Sequence, residues 1–109
     1  MKDLVEYFRS KGVLFRELRS LDLRSFGIKK RWSVYVGVDE KMRYWLIVQI
    51  QRKSRFLQKD ARELLSVEEE LKERLDHGFK KRALLLRGPL CSKARKVLEE
   101  QGWSVDAAV

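Results

Sequence analysis

Residues 43–55 read Arg-Tyr-Trp-Leu-Ile-Val-Gln-Ile-Gln-Arg-Lys-Ser-Arg, an apolar run that turns into a row of amides and cations. The segment 44–48 has the aromatic and β-branched content of a strand that is buried on both faces. Polar and apolar residues then alternate, so Gln49, Gln51 and Lys53 share one face of the strand. We interpret this polar row as the working edge of the protein. A strand that simply ends in a basic loop is the alternative.

Hydrophobic periodicity and turn residues predict the elements on either side of this strand. A tight connection at 39–42 makes residues 32–51 a hairpin, and Gly78 and Gly102 are suited to end helices. In chain order the predicted elements are a helix at 3–11, strands at 13–18, 32–38 and 43–51, a helix at 57–77, a strand at 82–86, a helix at 92–101 and a strand at 103–105, with a basic loop or strand approach at 19–31.

The predicted order is therefore α-β-β-β-α-β-α-β, which indicates an α/β fold with a central sheet of four or five strands. A helix between each pair of later strands implies that those strands are parallel, whereas the early hairpin makes the sheet mixed. At 109 residues the chain is long enough for one core, so we expect one domain of two or three layers over residues 1–109.

The net charge of +9 is unevenly distributed along the chain. Residues 23–62 contain 11 Lys or Arg against 3 Asp or Glu, a balance of +8, whereas residues 63–77 contain 2 against 6, a balance of −4. A concentrated positive charge predicts a polyanionic partner, which we expect to be nucleic acid, and DNA rather than RNA. The chain has no Asn and no Thr among its many charged residues, a composition typical of thermophiles.

The sequence offers little for disulfide, metal or membrane chemistry. A single Cys91 cannot form an internal disulfide and has no partner for a structural metal. The lone His77 falls at the end of a predicted helix, where an imidazolium suits the helix dipole. No apolar run approaches the ~20 residues of a membrane span, and the chain opens on a charged helix instead of a signal peptide. We therefore expect a soluble cytoplasmic protein.

Three parts of the chain carry a resemblance to a known group of enzymes. Glu6 lies in the opening helix, residues 48–53 look like a strand bearing a (D/E/Q)xK motif, and residues 82–105 look like a closing strand–helix–strand unit. Together they resemble the PD-(D/E)xK nuclease superfamily, which includes restriction endonucleases, archaeal Holliday-junction resolvases and Mrr-type enzymes. The resemblance implies a restriction-endonuclease-like sheet and, in an active member, Mg²⁺-dependent phosphodiester hydrolysis by Glu6, Gln49, Gln51 and Lys53.

The motif departs from the family pattern. If Gln49 occupies the acid position of the motif, Gln51 occupies the Lys position. If the motif is instead Gln51-x-Lys53, the Lys is kept but lies further along the strand. Hairpin geometry places Trp32 or Ser33 opposite Gln49, at the position where the family has an acid. Asp39 lies seven residues along the strand from that position, or ~23 Å at ~3.3 Å per residue. We therefore expect a degenerate motif without metal-dependent cleavage, no cofactor, and Mg²⁺ only if the protein is active.

These observations predict a nucleic-acid-binding, nuclease-like domain. Two alternatives remain open: an active Mg²⁺-dependent DNA endonuclease or resolvase, and a structural subunit of a larger complex such as a tRNA-splicing endonuclease. The protein could form a homodimer or bind a partner subunit. An exposed apolar patch at Trp103, Val105 and Val109 would favour the structural subunit. The predicted nucleic-acid contacts are Lys29, Lys30, Arg31, Gln49, Gln51, Arg52, Lys53 and Arg55.

Overall fold

Helices and strands follow one another along the chain in the order predicted from the sequence. The computed structural model describes the backbone of residues 2–107 and the side chains of residues 3–107. Its elements are α1 (Lys2–Ser10), β1 (Phe15–Leu21), a 3₁₀ turn (Leu23–Phe26), β2 (Ser33–Asp39), β3 (Tyr44–Gln51), α2 (Gln58–Leu75), β4 (Lys81–Arg87), α3 (Ser92–Glu100) and β5 (Trp103–Asp106).

The five strands form a single sheet in the order β1-β2-β3-β4-β5. The pairs β1–β2 and β2–β3 are antiparallel, whereas β3–β4 and β4–β5 are parallel. Helices α2 and α3 provide the crossovers that parallel neighbours require. The predicted α/β class with a mixed central sheet is confirmed.

Apolar clusters on both faces of the sheet explain the sequence of β3. Leu46, Val48 and Ile50 face one cluster, which includes residues of α2 and α3. Trp45 and Ile47 face a second cluster, which includes residues of α1. Successive side chains of a strand point to opposite faces, so a strand covered on both faces must be apolar throughout. The structure therefore has three layers.

Most boundaries differ from the prediction by one to three residues, and two of the differences have a local cause. Strand β1 extends to Leu21 and leads into the 3₁₀ turn, where the sequence predicted a loop. The side chain of Asp22 accepts a hydrogen bond from the backbone N–H of Arg24 at 3.1 Å, which favours that turn. Helix α2 ends at Leu75, before Gly78, because Asp76 already adopts the left-handed conformation at φ 58°.

No helix within residues 2–107 has the length and apolar content needed to cross a bilayer.

A buried aspartate organises the β2–β3 turn, which lacks the Asn-Gly pair that hairpins favour. Asp39 accepts hydrogen bonds from the backbone N–H groups of Lys41 and Arg43, from Arg43 Nε at 2.7 Å and from Trp45 Nε1 at 2.9 Å. Burial acts to raise the pKa of Asp39, but these hydrogen bonds and the charge of Arg43 together lower it to about 2. Asp39 is therefore a structural residue of the turn.

Among the residues that the structure describes, Trp103 does not provide the exposed apolar patch that would favour a structural subunit. Trp103 is only 3% exposed, and its Nε1 donates a hydrogen bond to Glu68 Oε1 at 3.1 Å. Val105 is half-buried against the main core, and Val109 lies outside the described residues. Trp103 therefore belongs to the core and is not a candidate for a docking surface.

Candidate nucleic-acid interface

The polar end of β3 lies beside polar ends of its two neighbouring strands. Gln49 pairs with Ser33 on β2 and with Leu85 on β4, and Gln51 pairs with Arg87 on β4. The predicted hairpin register, with Ser33 opposite Gln49, is confirmed. Because β3 and β4 are parallel, their carboxyl ends meet at one edge of the sheet, which is the usual place for a ligand crevice in α/β folds.

A cavity of about 410 Å³ opens at this edge. Its polar walls are Arg31, Ser33, Gln49, Gln51 and Arg87, and Ile50 and Leu85 also line it. The walls thus carry two guanidinium groups, two amides and one hydroxyl, and no carboxylate is among them. All five side chains can donate hydrogen bonds, and two of them are cationic.

Two further cavities continue the crevice on either side. One of about 430 Å³ lies beside the 3₁₀ turn and shares Arg31 with the first cavity, while another of about 510 Å³ shares Gln51 and Arg87 with it. Because adjacent cavities share wall residues, the three cavities lie in a row, which we call the groove. Five of the cations that line these cavities form what we call the basic track: Arg24, Lys29, Arg31, Lys53 and Arg87.

Three of the predicted phosphate contacts lie on the basic track. Lys29, Arg31 and Lys53 are exposed, and none of them forms a salt bridge with another described residue. Lys53 lies beyond the last residue of β3, so it extends the polar row of Gln49 and Gln51 past the strand itself. These side chains are therefore available to an anionic partner.

Lys30 differs from its neighbours because its ammonium group pairs with Glu63 of α2. Its Nζ also lies 5.4 Å from the centre of the Trp32 ring, a cation–π arrangement. Lys30 thus attaches the β2 approach to α2, and its role as a phosphate contact stays a prediction.

Arg52 is likewise committed to α2. Its Nη1 lies 3.3 Å from Asp60 Oδ1, and its Nε and Nη2 donate hydrogen bonds to Ser54 Oγ. The guanidinium also lies 5.9 Å from the centre of the Phe56 ring. These contacts attach Arg52 to α2, although it also lines a cavity with Gln51, and its role as a phosphate contact stays a prediction.

The groups expected of a Mg²⁺ site do not come together. Glu6 is exposed on α1 and is not among the walls of the cavity that contains Gln49. Asp39 lies at the far end of β2, where it pairs with Phe15. Within residues 2–107 no three His, Cys, Asp or Glu side chains are placed to hold a metal ion. Mg²⁺ prefers charged oxygen ligands, so the neutral amides of Gln49 and Gln51 fit it poorly.

Sequence reasoning missed a carboxylate at the end of β5, which had been interpreted as a tail. Asp106 pairs with Leu85, which in turn pairs with Gln49, so Asp106 lies two strands away from Gln49. The hydroxyl of Tyr7 donates a hydrogen bond to Asp106. Burial, that hydrogen bond and the negative charge of Asp106 all raise the pKa of Tyr7. Asp106 is thus attached to α1 at the margin of the site.

A loop pairing beyond the strands shapes the end of the groove near Arg55. The backbone N–H of Phe56 donates to Pro89 O at 2.9 Å, and Cys91 N–H donates to Phe56 O at 3.0 Å. Gly88 is required here, since a Cβ at this residue would lie 2.3 Å from Arg52 O and φ is +149°. Arg55 itself is exposed and acts electrostatically on Cys91.

Cys91 lies immediately before α3, at the N-cap position. Hydrogen bonds from the backbone N–H groups of Ala94 and Lys93, and then the charges of Arg55 and Lys93, lower the pKa of its thiol. The same amides that would be unsatisfied at the start of the helix stabilise a thiolate. The sequence showed a lone cysteine, whereas the structure places it in an electropositive environment.

Two solved structures share this architecture. EndoMS in its apo form matches 98% of this chain with a TM-score of 0.59 and 21% sequence identity. A repair endonuclease from Pyrococcus abyssi matches 84% with a TM-score of 0.51 and 18% identity. The chain spans 44% and 38% of the lengths of those two proteins. No protein-family model and no curated protein matches the sequence significantly. At these identities the likeness establishes the fold: the chain has a nuclease-like α/β fold of the kind found in repair endonucleases.

Proposed function

We propose that this chain is a nucleic-acid-binding, nuclease-like domain that holds the phosphates of a DNA strand along the basic track and lacks metal-dependent cleavage. One observation supports the proposal: the described residues that wall the cavity beside Gln49 provide guanidinium, amide and hydroxyl groups and no carboxylate. DNA is the proposed polymer because the structures with the same fold include a repair endonuclease.

The chemistry of the cavity suits a phosphate group. Guanidinium groups such as those of Arg31 and Arg87 bind phosphate through paired, charge-assisted hydrogen bonds. The amides of Gln49 and Gln51 and the hydroxyl of Ser33 can donate to the remaining phosphate oxygens. Contacts of this kind provide affinity and position the backbone, but they do not read the base sequence.

An active endonuclease is the second candidate, and the fold itself favours it. The two similar solved structures include an enzyme described as a repair endonuclease. Such an activity would have to use Glu6, Gln49, Gln51 and Lys53, of which only Gln49 and Gln51 line the central cavity. A Mg²⁺ ion would gain little from two amides in exchange for its own water ligands. The two candidates therefore differ in an outcome that can be measured directly.

Binding to a short fluorescent duplex tests the proposed site. Gln49→Glu keeps the shape of the side chain but places a negative charge beside Arg31 and Arg87, so we expect affinity to fall about tenfold or more. Gln101→Glu makes the same chemical change on an exposed residue outside the groove and serves as the matched control. Equal losses in both variants, or no loss in either, would show that the phosphates bind elsewhere.

Cleavage assays with Mg²⁺ or Mn²⁺ test the absence of activity. We expect the parent protein to leave duplex, branched and single-stranded DNA intact. Ser33→Asp with Gln49→Glu and Gln51→Lys would rebuild the family motif on paired positions of β2 and β3, and metal-dependent nicking by this variant alone would support a degenerate nuclease. Robust cleavage by the parent that Gln49→Ala abolishes would instead establish the active endonuclease.

A further inference from the structure

Strand β1 forms an open edge of the sheet. It pairs only with β2, so one row of its backbone N–H and C=O groups has no strand partner within residues 2–107. An open edge of this kind is a template for a strand from another chain. The opposite edge, β5, has four residues, whereas β1 has seven and therefore offers the longer template.

The edge carries charged side chains, which limit strand pairing unless the partner strand presents opposite charges. Its sequence, Phe-Arg-Glu-Leu-Arg-Ser-Leu, contains no Pro and no Lys, and the irregularity in its pairing is confined to the start, between Phe15 and Glu17. Glu17 and Arg19 are exposed, and neither forms a salt bridge with a described residue. The edge thus presents unpaired charges of both signs.

Pairing partners on β2 show which β1 side chains share a face. Glu17 and Arg19 pair with Val38 and Val36, so both charges lie on the α2 and α3 side of the sheet. Leu18 pairs with Gly37 and lies on the α1 side, where it is only half-buried. A Cβ at Gly37 would come within 2.9 Å of Leu18 Cδ1, which shows that Leu18 packs down onto that glycine.

These positions make β1 complementary to itself. In an antiparallel pair of β1 strands with the two-fold axis at Leu18, Glu17 of each copy lies opposite Arg19 of the other. Two opposite-charge pairs then form on one face, and the two Leu18 side chains meet on the other. Opposite charges that face each other across a strand pair stabilise the pairing.

The charges also select this register over its neighbour. Antiparallel pairing with a two-fold axis can centre only on a residue, because paired positions must present their hydrogen-bonding groups to each other. A shift of the axis to Arg19 places Arg19 opposite Arg19 and Glu17 opposite Leu21, so like charges face each other. Centring on Leu18 is therefore favoured.

We propose that a second copy of this chain docks along β1 and forms a continuous ten-stranded sheet. The contact is isologous, as in most homodimers, and each copy supplies the same strand. A short strand pair buries less surface than a standard stable interface, so the dimer is weak and forms in a concentration-dependent manner.

The dimer would place the two basic tracks on the same face of the extended sheet. Gln49 lies two strand spacings from β1, so the two Gln49 residues are separated by five spacings of ~4.8 Å across the strands and by about eight residues of ~3.3 Å along them, which gives about 36 Å in a flat sheet. One turn of B-form DNA is about 34 Å. This consequence rests on the proposed nucleic-acid function, whereas the dimer itself does not.

Sedimentation analysis over a range of protein concentrations, without nucleic acid, tests the dimer. Glu17→Arg and Arg19→Glu each create two like-charge pairs, so each variant alone should dimerise at least about tenfold more weakly than the parent. An equimolar mixture of the two variants brings opposite charges together at both pairs and should recover parent-like association. Glu100→Arg, an exposed change on α3, is the matched control and should behave as the parent.

Recovery in the mixture is the decisive outcome, because neither misfolding nor a general charge effect would produce it. Circular dichroism of each variant checks the fold, and the double variant Glu17→Arg with Arg19→Glu, which keeps the net charge, should dimerise like the parent. A parent that stays monomeric at every concentration would overturn the proposal, as would a dimer that both single variants leave unchanged. Failure to bind DNA would count against the proposed function only.

Discussion

The salt dependence of DNA binding follows directly from the five cations of the basic track. Each phosphate that a cation neutralises on duplex DNA contributes about 0.9 to the slope of log affinity against log salt. Five such contacts give a slope of about −4.5. Between 50 and 200 mM salt, a fourfold change, affinity should therefore fall about 500-fold. A smaller slope would mean that fewer of the five cations reach phosphates.

Removing one cation sharpens this prediction. Arg31 is shared by two of the three cavities, so Arg31→Gln should weaken binding and make the slope shallower by about 1. Fluorescence anisotropy with a 20-base-pair duplex at several salt concentrations measures both quantities. Lys96→Gln removes a cation from the exposed side of α3, outside the groove, and is the matched control. The loss should be the same for unrelated duplex sequences, because phosphate contacts carry no sequence information.

Two results would refute this reasoning. A salt response that is nearly flat would show that Lys and Arg contacts to phosphates do not dominate binding. Equal slopes for Arg31→Gln and Lys96→Gln would show that the whole basic surface attracts DNA and that the groove is not the site. A shallower slope for Arg31→Gln alone would support a track that follows the carboxyl ends of β3 and β4.

Three further predictions concern single features of the structure. Lys53→Ala with Arg55→Ala should weaken DNA binding yet change the free energy of unfolding by under ~0.5 kcal/mol in urea titrations, since both side chains are exposed; unfolding would assign them a structural role. Asp39→Asn should lower the free energy of unfolding by on the order of 1–2 kcal/mol near neutral pH. Because the pKa of Asp39 is depressed in the folded protein, the parent should lose this advantage as pH falls from about 4 to 2. A stability difference that does not change with pH would contradict this prediction. The rate of alkylation of the Cys91 thiol should reach half its maximum at a pH below the ~8.5 of free cysteine, and Arg55→Ala should raise that pH. The same half-maximal pH in folded and urea-unfolded protein would refute the lowered pKa of Cys91.

The parts of the fold that sequence could predict depend on local rules. Alternation along 43–51 and the short turn at 39–42 determine which residues of the hairpin face each other, so Ser33 could be placed opposite Gln49 before the structure was known. Helices between the later strands require parallel pairing, and this gave the mixed sheet. The extension of β1 to Leu21 was missed because polar residues dominate the end of that edge strand.

The parts that sequence could not predict depend on contacts between distant segments. Lys30 and Arg52 look like their exposed neighbours in the sequence, yet both pair with acidic residues of α2. Arg87 and Asp106 enter the site region only because β4 and β5 run parallel to β3 and end at the same edge. The rule that ligands bind at the carboxyl ends of parallel strands could have identified Arg87.

The exchange of two side chains is sufficient to change the preference of such a site from a cation to an anion. A glutamate at Gln49 would have nearly the same shape but would pair with the guanidinium groups of Arg31 and Arg87, leaving less positive charge for a phosphate. The amide of Gln49 instead adds donors and removes the competing charge. A lysine at Gln51 would add a charge but would also repel the two arginines at short range. Amides at both positions therefore add hydrogen-bond donors to the cavity without adding a charge that would compete with a phosphate for its guanidinium groups.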